Sequence, residues 1–181
     1  MPDPCLADAI AQFKKLRALA EGALEQVPPD RWFDVPARET NSIALTMKHV
    51  SGNMRSRWTN FLETDGEKSD RDRDSEFERR TGDDANAIRA RWDAGWTLLF
   101  ETLGLLKDED MARTVTVRGE PHTVLQALHR QMTHYAYHVG QIVLLARMYA
   151  GVKWRSLSIP RGKSKEYEVS KDGKSYRTSR P

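Results

Sequence analysis

Apolar side chains recur at steps of three and four along four stretches of the chain, the spacing of a single helix face. The first stretch carries Leu6, Ile10, Phe13, Leu16, Ala20, Leu24 and Val27. Pro28-Pro29 ends it, because proline lacks the N–H and its ring collides with a continuing turn. The second carries Ile43, Met47, Val50, Met54, Trp58 and Phe61. Thr40 or Asn41 suits its N-cap, and Asp65-Gly66 marks a turn beyond it. The third follows Asp83-Asp84 with Ile88, Trp92, Trp96, Leu99, Leu103 and Leu106. Acidic residues there complement the positive end of a helix dipole.

The fourth stretch is the best marked. Thr123 and Gln126 have capping-box spacing, Leu125, Leu128, Met132, Tyr135, Val139, Ile142 and Ala146 form the stripe, and Gly151 suits the C′ position. That predicts a helix of about 27 residues, a length common in bundles. Just before it, Thr114-Val115-Thr116-Val117 alternates in the strand manner and Arg118-Gly119-Glu120-Pro121 reads as a turn. The expectation is an all-α four-helix bundle with a minor β strand or hairpin before the last long helix. No internal repeat is present.

Two segments break the pattern. Residues 65–84 hold nine acidic and five basic residues, with Phe77 the only large apolar one. Charged runs ordinarily form solvated connections, which is the favoured reading. The sharper alternative is a loop folded over a site by Arg–carboxylate pairs. After Gly151, Trp154, Leu157 and Ile159 are candidates to pack back on the body. Beyond Arg161 there is little to bury. The expected division is a bundle domain over 1–160 and a basic, flexible tail over 161–181.

Composition then narrows the class. The chain has 181 residues, enough for one domain with a real core. A single cysteine, Cys5, excludes an intramolecular disulfide framework and Cys-rich zinc modules. No apolar run approaches the roughly 18 residues of a membrane-spanning helix. Met1-Pro2-Asp3-Pro4 does not open like a signal peptide, so a cytoplasmic location is expected. The net charge of +3 with pI near 9.0 invites a nucleic-acid reading. The distribution argues against it. Residues 151–181 hold nine Lys/Arg against three Asp/Glu, leaving 20 against 23 in the body. A homodimer is expected, since Trp-rich helix stripes often leave apolar surface to cover.

The histidines carry the candidate chemistry. His134 and His138 are four apart and share one helix face, where two imidazoles can hold one divalent cation. Gln141 follows on nearly the same line. His122 and His129 are seven apart, about 10 Å along a helix, and are set aside. There is no His-Glu-x-x-His, nor any carboxylate on the last helix after Glu120, which excludes the zincin and di-iron patterns. His49 lies about 120–140° round from the stripe of its helix. Periodicity leaves open whether it lines a second inward edge or faces solvent.

One histidine on the second helix and a His-x3-His pair on the last resembles the DinB/YfiT-like family of bacterial four-helix bundles. The likeness extends through Asn41-Ser42-Ile43, 48–58, Asp65-Gly66-Glu67-Lys68, 71–77, 134–141 and 154–164, covering about residues 6–164. The resemblance implies that His49, His134 and His138 are ligands of one divalent metal, zinc or nickel. All-nitrogen ligation disfavours calcium and magnesium. A metal so held lowers the pKa of a water or thiol. Two reaction classes follow: low-molecular-weight-thiol transferase or isomerase chemistry, and hydrolysis of an amide or ester. The first is preferred by analogy with the family, and because no general base stands beside the His pair. The thiol would then be a cosubstrate, Cys5 being too near the N-terminus. A third reading is a metal-stabilised binding or stress protein without catalysis.

For a small-molecule substrate, Arg55, Arg57, Arg71, Arg73 and Arg161 are candidates to grip carboxylates, with salt bridges to nearby Asp and Glu as the competing role. Asn53, Arg57, Arg73 and Gln141 are the expected substrate-contact set.

Overall fold

The computed structural model describes residues 4–169 and 176–178. Four long helices dominate: α1 (Pro4–Leu24), α2 (Ile43–Trp58), α3 (Ala85–Leu105) and α4 (Val124–Ala150). A hairpin of β1 (Thr114–Val117) and β2 (Glu120–Thr123) precedes α4. The architecture is therefore the expected all-α bundle with a small hairpin before the last helix. α2 packs chiefly on α3, and α1 on α4. Among the described residues no helix is long and apolar enough to cross a membrane.

The caps follow the sequence closely, with one shift. Thr123 and Gln126 form the reciprocal box that opens α4, and Gly151 closes it at φ 55°. Asp84 caps α3 by accepting from the Ala87 N–H at 2.8 Å. On α2 the cap is Ser42, which accepts from the Leu45 N–H. Thr40 instead closes a turn with Ala37. α2 is also shorter than its stripe: it ends at Trp58, and Asn60 takes a left-handed backbone at φ 47°. Phe61 stays buried even so.

Phe13, Trp58, Trp92, Trp96 and Tyr135 fill the middle of the bundle. Their rings meet edge-on or tilted, the arrangement favoured by aromatic quadrupoles. Trp58 Nε1–H donates to the Tyr135 hydroxyl at 3.0 Å, which donates to Asn53 Oδ1 at 3.1 Å. The tryptophans of the stripes are thus spent inside the bundle. The exposed apolar side chains are others, including Leu105, Tyr137, Leu144 and Met148.

Trp154 and Leu157 pack on the core, with Leu157 against Gly22. Within the segment expected to be a tail, β3 (Tyr167–Val169) pairs antiparallel with β4 (Tyr176–Thr178). Residues 170–175 and 179–181 lie outside the described residues.

The charged run 65–84 departs from the favoured reading. Part of it is folded against α2, although Asp70, Asp72, Arg73, Asp74, Glu78, Arg79 and Arg80 stay exposed. Arg71 and Glu76 have side chains only 2% and 7% exposed and lock together. Lys48 of α2 pairs with buried Asp83 at 2.7 Å, and Arg91 reaches the other Asp83 oxygen. Desolvation opposes the charged form of Asp83, but these donors outweigh it and hold its carboxyl at about 2. The start of the run grips the hairpin. Asp65 accepts from the Arg118 and Gly119 N–H groups, and the Gly66 N–H donates to the Thr116 carbonyl. Arg118 and Gly119 both have positive φ, the geometry of a tight two-residue hairpin turn.

Candidate metal centre

α2 supplies His49, and α4 supplies His134 and His138. One nitrogen from each of the three rings lies within 4.8 Å of the others. His49 Nε2 is 3.3 Å from His134 Nε2, and His138 Nε2 is 3.1 Å from the same atom. His49 faces inward with 4% exposure, which resolves the ambiguity of its helical position. Phe77 stacks on its ring at 4.6 Å between centroids. His129 is exposed and His122 sits on β2 with Nδ1 against the Glu120 carbonyl, so neither joins the cluster.

The far nitrogens of two rings are committed. His49 Nδ1 lies 2.9 Å from Glu76 Oε2, and His138 Nδ1 lies 2.8 Å from Gln141 Oε1. Burial works to raise the Glu76 carboxyl. Hydrogen bonds from His49 and Arg71, and the Arg71 charge, outweigh burial and set it below its ordinary value. An ionised carboxylate only accepts, so His49 Nδ1 carries the hydrogen, and in the neutral ring that leaves the lone pair on Nε2. The Gln141 oxygen imposes the same tautomer on His138. Burial, followed by the neighbouring His138, pushes His134 down to about 3, and burial also lowers His138.

The consequence is a mismatch that hydrogen bonding alone leaves unsolved. Two bare nitrogens face His134 Nε2, whose one hydrogen can point at only one of them. A divalent cation suits this donor set. Ligands bonded at about 2.0–2.1 Å around a tetrahedral ion sit about 3.3 Å apart. The separations of His49 Nε2 and His138 Nε2 from His134 Nε2, 3.3 and 3.1 Å, match that spacing, and the Glu76 and Gln141 contacts are those that orient ligating imidazoles.

Beside the histidines is a cavity of about 200 Å³. Asn53, Gln131 and five arginines, Arg57, Arg71, Arg73, Arg118 and Arg130, share its wall with His49 and His134. Three of the expected substrate-contact residues, Asn53, Arg57 and Arg73, are therefore here. Gln141 is not on this wall and holds His138 instead. Arg55 pairs with Asp70 and lines a second cavity of about 470 Å³, whose wall also holds Arg71 and Glu76. Cys5 lines yet another, with His129. Arg161 is exposed and lines none of these.

Sequence reasoning missed Glu76 as the partner of His49, and Arg118 and Arg130 as cavity residues. Phe77, the lone large apolar residue in the charged run, was the available signal that the run turns inward.

A family model described as "Protein of unknown function (DUF1572)" matches residues 2–163. No curated protein and no solved structure matches the chain.

Proposed function

The chain belongs to the DUF1572 family, and we propose that it is a DinB-like protein whose His49, His134 and His138 bind one divalent ion, zinc or nickel, in a thiol-dependent transferase or isomerase. The observation that carries this reading is the convergence of three Nε2 atoms while Glu76 and Gln141 occupy the Nδ1 atoms of His49 and His138. A divalent ion on three neutral imidazoles keeps its full charge and an open position, and there it acidifies a thiol.

The protein's own groups do the rest. Glu76 orients His49, and Arg71 keeps Glu76 ionised by donating through Nε and Nη2 at 2.9 Å each. Gln141 orients His138. Burial favours the neutral form of His134 and His138, the state in which an imidazole ligates. No carboxylate lines the cavity, and Glu76 is already saturated by Arg71 and His49. A site with no free base favours a thiol, which loses its proton readily, over hydrolysis, which needs proton transfer help at each step.

Metal analysis of the purified protein and of His138→Ala tests the centre. Stoichiometric metal in the wild type and its loss in the variant are expected. If neither holds a divalent metal, the reading fails. A screen of low-molecular-weight thiols against electrophilic acceptors tests the reaction. Ester or amide cleavage without thiol dependence would replace it with hydrolysis.

The cluster also ties α2 to α4, which favours a second reading, a metal-stabilised binding protein. Metal removal separates the two. Large loss of thermal stability without any turnover in the loaded protein supports the binding protein.

A further inference from the structure

The cavity beside the histidines is far from electrically balanced. Five guanidinium groups line it and no carboxylate does. Two carboxylates lie behind the wall. Glu76 and Glu67 both pair with Arg71, and Glu67 also lies 3.2 Å from Arg118 and 3.9 Å from Arg57. Among the described residues Arg73 and Arg130 have no carboxylate within 4.0 Å; Arg73 lies over the Phe77 ring instead.

Arg57 is the clearest case. It is 3% exposed, yet its Nε and Nη1 have no hydrogen-bond acceptor. A buried guanidinium with open donors is costly unless a partner supplies the missing acceptors. The groups that best match guanidinium donors are oxyanions, gripped through paired N–H bonds. Exposed Arg73, Arg118 and Arg130 surround the mouth, while Arg57 and Arg71 form the interior.

We propose that this cavity binds an oxyanion, a carboxylate or a phosphate, on the molecule that reacts at the three histidines. Arg57 is its interior contact, and Arg73 and Arg130 close on it from the mouth. Arg71 is committed to Glu76 and Glu67 and contributes charge. The link to a reacting molecule rests on the metal-centre reading, whereas anion binding in the cavity does not.

The test is calorimetric titration of the full-length, metal-loaded protein with inorganic phosphate and, separately, with succinate, with ionic strength held constant by NaCl. Saturable binding of either probe is expected, and the probe that binds identifies the oxyanion. Arg73→Gln and Arg130→Gln should each weaken it roughly tenfold with metal content unchanged, one lost charge-assisted hydrogen bond apiece. Both arginines are exposed, so these variants should fold. Exposed Arg155→Gln should bind like wild type. His138→Ala should lose metal and keep the anion, which separates this proposal from the metal-centre reading. Saturable binding of neither probe overturns the proposal, as does binding that survives the double arginine variant. Binding abolished by His138→Ala also overturns it, since the anion would then sit on the metal.

Discussion

His49 Nδ1 and Glu76 Oε2 are 2.9 Å apart across 27 residues of sequence, and this one contact decides which nitrogen of His49 faces His134. It makes Glu76 the residue on which the geometry of the centre depends, although Glu76 lies in the charged loop rather than on a bundle helix. Glu76→Gln keeps the shape and removes the charge. Partners of this kind typically matter by 10–100-fold in metal affinity, so a loss of about that size is expected in competition with a chromophoric chelator. Unchanged affinity would show that the contact is incidental.

Gly52 gives a second route to the same contact. A Cβ added there would run into Glu76 Oε1 and Cδ. Glu76 is clamped by Arg71 and cannot swing aside freely. Gly52→Ala should therefore lower metal affinity as Glu76→Gln does, while far-ultraviolet circular dichroism stays that of the helical bundle. Wild-type affinity in Gly52→Ala would mean that the loop moves as a unit to make room.

Acid should weaken the metal-free protein in a defined window. An unfolded histidine protonates near its ordinary 6.5, whereas folded His134 resists down to about 3. The unfolded state therefore binds more protons in between, and stability falls as pH drops from about 6.5 towards 3. Asp83 adds its own loss only lower, between its ordinary 3.8 and about 2. Urea midpoints at about pH 7 and about pH 5 should show the drop, and His134→Gln should shrink it. A drop of the same size in the variant would assign it to other groups.

The Lys48–Asp83 pair anchors the end of the loop. Both side chains are under 10% exposed. Asp83→Ala strands a buried ammonium, a change that usually costs about 3–5 kcal/mol. Urea unfolding should register a loss of that order. A loss under about 1 kcal/mol would place Lys48 in water once its partner is gone.

Tyr135 joins the core to the cavity wall. Its hydroxyl stands between Trp58 Nε1 and Asn53 Oδ1. Tyr135→Phe leaves a buried indole N–H without its acceptor and should cost about 1–3 kcal/mol in chemical denaturation. Complete neutrality would mean that Trp58 finds another acceptor.

The bundle was legible because its signals are local. Thr123, Gln126 and Gly151 mark both ends of α4, and Asp84 marks the start of α3, each through bonds spanning three or four residues. The His134–His138 pair was legible for the same reason. What local pattern could not settle was the direction of His49, which lies off the stripe of its helix and is turned inward by contacts with Phe77 and Glu76. The loop was misjudged because its charges look solvated one residue at a time. Arg71 and Glu76 are buried only because each supplies the other's partner, and pairing of that kind carries no periodicity. Arg118 and Arg130 were missed for a related reason: a hairpin turn and a helix reach the same cavity from different parts of the chain.

The arrangement of helices in pairs, α2 with α3 and α1 with α4, has a consequence for the order of folding. His49 belongs to one pair and His134 to the other, 85 residues away. Each pair can assemble without bringing the three rings together, and closing that long loop comes only when the pairs dock. High-affinity metal capture would then be confined to the last stage of assembly. A divalent ion added during refolding should leave the early rate unchanged and slow only unfolding, making the centre a latch on a nearly finished structure and not a seed for it.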